Sequence, residues 1–216
     1  MAPIPKNPAS TQVLSMLRAH RSGVLLTAEG PRPCPTAIDP IGGALIAPLS
    51  DPETELESAT LFIPEESNDA LQVLVLPALS APAGDTDSDR YRAAHGAPDP
   101  IRLFRLRIDG ARLGSRVVDG PDIELKDPFA TESASLRRAM NADRPALGKA
   151  VSYLGLSLGL RPGENPIVIA VDPEGVDLRG PLGVARFPFE RCASSADELR
   201  RFASVLLPFD PEQTQV

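Results

Sequence analysis

The sequence predicts an α+β chain: a small barrel of short strands, then a compact α-α-β-β-β-α unit. Three observations carry this. First, the apolar run at 167–171, the turn Asp172-Pro173-Glu174-Gly175 and the run Val176-Asp177-Leu178 read as a hairpin. Pro173 pre-sets φ at the first central position of a type I turn, and Gly175 closes it. Second, residues 10–118 hold short apolar runs at turn spacing. Third, 24 of the 216 residues are proline, which suits short strands on stiff turns better than long helices. The expected organisation is a disordered lead over 1–9, a barrel domain over 10–118, a linker over 119–131, an α/β domain over 132–208 and a tail over 209–216.

In the first domain Ser10 or Thr11 caps a helix running to about His20, with Val13, Leu14 and Leu17 on one face. Strands follow over 24–28, 34–38 and 44–49; Pro35 restricts the second to an edge or a bulge. The stretch 50–58 carries Asp51, Glu53, Glu55 and Glu57. A strand is expected over 60–64. Another, over 71–76, is apolar on both faces and therefore central. Residues 78–88 read as a loop and 89–95 as a helical turn stopped by Gly96. Residues 100–109 alternate, Phe104, Leu106 and Ile108 on one face and Arg105 and Arg107 on the other. Asp109-Gly110 then reads as a hairpin turn into 111–118.

In the second domain Leu136 and Met140 anchor one helix. Pro145 opens the next, with Leu147, Val151 and Leu154 inward. Strands are expected over 167–172, 176–179 and 183–188. Ser195-Ala196-Asp197-Glu198 is a capping box for a last helix whose inward residues are Leu199, Phe202, Val205 and Leu206.

Composition narrows the function. The net charge is −7 and the pI about 4.9, so the basic footprint of a nucleic-acid or anionic-membrane binder is missing. The opening MAPIPKNPAS has no apolar signal core, and the longest apolar run, 151–160, is too short to cross a bilayer. The expected location is the cytoplasm, with neither nucleic acid nor membrane as partner. Two cysteines, Cys34 and Cys192, and two histidines, His20 and His95, leave no disulfide framework or zinc cluster.

Few residues are candidates for chemistry. If the hairpin forms at 109–110, Arg105, Arg107 and Arg112, with Arg116, converge and can hold a phosphate or carboxylate; the alternative is a solvated face. His95 suits a haem ligand or a general base, or else serves a helix C-terminus. Asn141 and Asp143, just before Pro145, are read as capping residues in preference to ligands.

The segments RRAMNADRPAL, VDPEGVDLRG, GVARFPF and SADELRR resemble the C-terminal α/β domain of the haem-utilisation (haem-degrading) proteins. In that family the domain follows an FMN-binding-type split β-barrel similar to pyridoxamine-phosphate oxidase, which residues 10–118 fit in order and length. The resemblance implies a homodimer and FMN or haem as cofactor. The family's helix motif His-Met-Asn-x-Asp-His falls on Ala139, Met140, Asn141, Ala142, Asp143 and Arg144, so both histidines are replaced. Where flavin-binding relatives place a Ser/His/Thr/Arg segment near the cofactor phosphate, this chain has the acidic stretch 49–55. The expectation is a split-barrel protein of this type with reduced or lost cofactor chemistry, acting as a binding or regulatory module, with any residual ligand held by Arg105, Arg107, Arg112 and His95. A protein partner is a further expectation. The alternative is an FMN-dependent oxidoreductase or haem-degrading enzyme with non-standard ligands.

Overall fold

The computed structural model describes residues 8–49, 59–65, 67, 69–82, 84–96, 102–156, 158–161 and 164–207. The acidic stretch 50–58, most of the expected lead and the expected tail lie outside the described residues. The chain divides into two compact units, Met1–Lys126 and Asp127–Val216.

The first unit opens with helix α1 (Pro8–Ala19) and continues through β1 (Ser22–Thr27), β2 (Gly30–Pro35), β3 (Ala37–Asp39), β4 (Ala44–Pro48), β5 (Thr60–Ile63) and β6 (Leu71–Pro82). Helix α2 (Asp85–His95) precedes β7 (Leu103–Leu113) and β8 (Arg116–Asp119). The strands form one antiparallel sheet in the order β2-β1-β5-β6-β7-β4-β3, with β8 also on β7, and the sheet curls into a half-barrel. Its inner face places Leu25, Leu61, Ile63, Leu71, Val73, Leu106 and Ile108 against Val13, Leu14 and Leu17 of α1. Each such side chain contributes about 1.5–3 kcal/mol by leaving water. The alternation expected around Phe104, Leu106 and Ile108 is present, and all three are buried.

The open edge of β2 is blocked by its own sequence. A two-residue turn, Ala28-Glu29, joins β1 to β2 with Thr27 opposite Gly30, so the amides of Gly30, Arg32 and Cys34 face β1. Pro31, Pro33 and Pro35 fall on the alternate positions. They point nitrogens without hydrogens at the open side, where a stray strand finds no donor.

Five expectations for this unit need correction. The single strand expected over 34–38 is two, β2 and β3, divided at Thr36, and β2 begins at Gly30 inside the stretch that had read as a turn. The segment 78–88 is not a loop: β6 runs to Pro82 and α2 begins at Asp85. Leu74, expected in a strand buried on both faces, is 51% exposed, because β6 is central in the sheet but open on its outer side. Asp109-Gly110 is a bulge, not a turn. Gly110 lies opposite Leu74 and Ile108 opposite Val75, which leaves Asp109 as the extra residue. The hairpin turns later, at Gly114-Ser115, where Gly114 has φ +59°. Gly120 packs on the bulge: a Cβ there would lie 2.5 Å from the Ile108 carbonyl oxygen and 2.6 Å from that of Asp109. Within 119–131, read from the sequence as a linker, Gly120–Asp122 is a 3-10 turn and Ile123 and Leu125 are buried in the first core.

The second unit comprises α3 (Ala130–Ala142), α4 (Arg144–Tyr153), β9 (Ile167–Asp172), β10 (Gly175–Gly180), β11 (Gly183–Pro188) and α5 (Ala196–Ala203). Its antiparallel sheet has the order β11-β10-β9. Val168, Val171, Val176 and Leu178 pack against Leu136, Met140, Leu147, Val151 and Leu199. Ser195 caps α5 by accepting from the Glu198 amide at 3.2 Å. Val205, expected inward, lies in the 3-10 turn after α5 and is 50% exposed. Gly175 does close the β9–β10 turn, and the cause is space. A Cβ would sit 2.4 Å from the Phe187 carbonyl oxygen of β11, too close for any side chain.

Candidate functional site

The four sequence candidates do not assemble into one site. Because β7 continues through the bulge, Arg105, Arg107 and Arg112 lie along a single strand instead of facing each other across a hairpin. Arg107 and Arg112, five residues apart, are separated by about 16 Å at the rise of an extended chain. Arg112 donates from Nη2 to Gln72 Oε1 at 2.9 Å on the outer face, and Arg107 is exposed.

Arg105 belongs to a different constellation, assembled by α2 on the outer face of β3, β4 and β7. Tyr91 of α2 is buried against Ala37 and Ile46, which fixes the helix over that face. One turn earlier Asp87, fully buried, accepts from Arg105 Nε at 2.6 Å and from Arg90 Nη1 at 3.1 Å. Asp39, at the end of β3, stands 3.3 Å from Arg90 Nη1 and 3.5 Å from Arg105 Nη2. Its two oxygens also accept from the amides of Ile41 and Gly42, each at 3.0 Å. Two buried carboxylates thus meet two guanidinium groups, and the charges balance. The Asp87 hydrogen bond, with the Asp87 and Asp39 charges behind it, holds the Arg105 guanidinium above its ordinary range against the effect of burial. The sequence carried one faint signal for this cluster, the i, i+3 spacing of Asp87 and Arg90 on the helix.

His95 closes α2. Its Nε2 lies 2.9 Å from the Thr36 carbonyl oxygen and therefore donates to it, and its ring stacks at 4.8 Å on Tyr91. The histidine ties the helix end to the β2–β3 junction. Burial first, and Cys34 second, push the Tyr91 phenol above its ordinary pKa, so it stays neutral as a packing group.

In the second unit the surviving polar residues of the helix motif each hold backbone. Asn141 donates from Nδ2 to the Val168 carbonyl at 2.8 Å, and its Oδ1 accepts from the Val168 amide at 3.0 Å. The side-chain amide thereby pairs with β9 as a neighbouring strand would, at the edge of the sheet. Asp143 caps α4, accepting from the Ala146 amide at 3.0 Å. Arg186 lies between Asp172 (2.6 Å) and Asp177 (2.7 Å) and is nearly buried. Burial works to lower its pKa, but the two carboxylates outweigh that and raise it. Sequence reading did not single out this triad, although Asp177 and Arg186 are symmetric about the Gly180–Gly183 turn and so had to be cross-strand neighbours.

FMN and haem, the groups implied by the family resemblance, find no matching donor set among these residues. The helix histidines are Ala139 and Arg144, Arg105 is committed to Asp87, and the His95 Nε2 is committed to a carbonyl. Among the described residues no group of three or more His, Cys, Asp or Glu side chains could hold a metal.

Together these features define a mixed α+β protein with a curled antiparallel half-barrel sheet. No family model and no curated protein matches the chain. Among solved structures it is similar to Atu2129 from Agrobacterium tumefaciens str. C58, a protein of unknown function. That likeness has 17% identity and a TM-score of 0.61, over 95% of this chain and 100% of the other. A haem-binding protein from Mycobacterium smegmatis aligns over 94% of this chain and 97% of its own, at 21% identity and a TM-score of 0.39. No helix among the described residues is long and apolar enough to cross a membrane.

Proposed function

We propose that the chain is a split-barrel binding module of the haem-utilisation type that works as a homodimer and has given up cofactor chemistry. The observation that carries this reading is the occupation of the residues where that chemistry would reside. Asn141 is spent on the edge of β9, Asp143 on the start of α4, Arg105 on Asp87, and the His95 Nε2 on the Thr36 carbonyl. Freeing Arg105 for a ligand phosphate would leave Asp87 buried with one cation fewer, which costs more than an exposed arginine contact returns. The module therefore acts through its surface.

The visible spectrum of the purified full-length protein, alone and titrated with haemin or FMN, tests this. The expected result is no flavin band and at most a broad, non-saturating haem spectrum that His95→Ala leaves unchanged. A stoichiometric Soret or flavin band would overturn the reading, and its loss in His95→Ala or Arg105→Ala would identify the ligand.

A further inference from the structure

The two helices of the first unit are attached to the sheet in different ways. Helix α1 puts Val13, Leu14 and Leu17 into the main core. Helix α2, DTDSDRYRAAH, has one large side chain to bury, Tyr91, which forms a small separate cluster with Ala37 and Ile46, beside Leu103. The rest of its seat is polar. Arg105 of β7 meets Asp87 and Asp39, Asp39 of β3 meets Arg90, and His95 donates to the Thr36 carbonyl. The two guanidinium side chains are 20% and 44% exposed, so dissolved salt reaches these pairs and screens them.

Each charge in this seat keeps a partner if the helix leaves. Asp87 goes into water with α2, still accepting from Arg90 at 3.1 Å and from the Gly84 amide at 3.3 Å. Asp39 keeps the amides of Ile41 and Gly42. Arg105 turns fully to solvent. Opening therefore strands no buried ion, which is what makes a buried ionic cluster costly to break. The helix also closes its own ends, through the Gly84–Asp87 contact at the start and the Gly96 amide on the Arg92 carbonyl at 2.8 Å at the finish. A Cβ on Gly84 or Gly96 would meet nothing within 4 Å, so both junctions have room to turn. We propose that α2 is a salt-sensitive latch: it lifts from β3, β4 and β7 as a folded helix and uncovers Ala37, Ile46 and Leu103 while the barrel stays intact. Ionic strength thereby sets how often this apolar strip is exposed.

The test is hydrogen exchange of the full-length protein, read by mass spectrometry between about 0.01 and 1 M sodium chloride, which shortens the screening length from about 30 to about 3 Å. Protection over Asp85–His95 should fall at least about tenfold across that range, while peptides of β5 and β7 change less than about twofold, as local opening requires. Asp87→Asn should start loose and lose its dependence on salt. Asp89→Ala, which removes an exposed carboxylate of the same helix paired with Arg92 at 3.6 Å, should behave as the parent. A thiol reporter separates lifting from fraying of the helix. Ala37→Cys is made with Cys192→Ser and labelled under the same salts, with modification read site by site so that Cys34 is counted apart. Labelling at position 37 should speed up with salt, and adding Tyr91→Ala should make it fast at low salt. Protection over Asp85–His95 that salt leaves unchanged, or that falls only together with β5 and β7, overturns the latch. So does a position 37 that stays unreactive while the helix exchanges.

Discussion

At the scale of single residues, the side chains that looked like remnants of chemistry turn out to hold backbone. Asn141→Ala removes a side chain that pairs with both the amide and the carbonyl of Val168, a residue 1% exposed. Chemical denaturation should show a loss of about 2 kcal/mol, the cost of leaving such groups unsatisfied. Asn141→Asp should recover little of it, because a carboxylate accepts from the amide but repels the carbonyl. Gly175→Ala should cost about 1–3 kcal/mol by forcing β10 away from Phe187, although the glycine is not in the left-handed region. Glu198 has a pH signature. The Ser194 hydroxyl and amide, with Arg191, lower its carboxyl from an ordinary 4.5 to about 2. A depressed carboxylate adds stability above its unfolded pKa and loses it as pH falls through the folded value. Glu198→Gln should therefore melt below the parent at neutral pH, and the two curves should converge between pH 4.5 and 2. The sequence marked both Asn141 and Asp143 as caps, short polar side chains beside a proline; Asp143 is one, but Asn141 binds β9 instead. It could not reveal that Asn141 reaches a strand 27 positions away, since nothing local encodes that distance.

At the scale of elements, charge fixes two pieces of the fold. Helix α2 is held to the barrel by Asp87 and Asp39 against Arg90 and Arg105. Asp87→Ala should loosen the helix more than Arg105→Ala. The first strands two cations beside Asp39, whereas the second leaves Asp87 with Arg90. Hydrogen exchange over Asp85–His95 would report the order, and equal protection in the two variants would contradict it. In the second unit, Arg186→Met should lower stability by about 3–5 kcal/mol, because it abandons the buried carboxylates of Asp172 and Asp177. A milder effect would mean that water already reaches the triad. The hairpin at Gly175 was legible because Pro173 and Gly175 act locally. The one at Asp109-Gly110 was misread because the same dipeptide serves a bulge when the strand has a partner to continue along, and β6 is that partner.

At the scale of the whole molecule, most strands of the barrel followed from short apolar runs and turn residues, whose constraints are local, but the split of 34–38 between β2 and β3 and the order of the strands in the sheet did not. The second unit followed from alternating valines and a capping box. Convergence of the arginines did not follow, because it depended on one turn, and moving that turn from 109–110 to 114–115 placed all three on a single strand. The central claim is that polar side chains here hold the fold and not a cofactor, and thermal melting of the full-length protein titrated with FMN, haemin, pyridoxal phosphate and inorganic phosphate tests it most directly. A ligand that binds only the folded state must raise the melting temperature with concentration. The account predicts unchanged melting for the parent, Arg107→Ala and His95→Ala alike in each titration. A saturable rise in the parent that either substitution abolishes would contradict it.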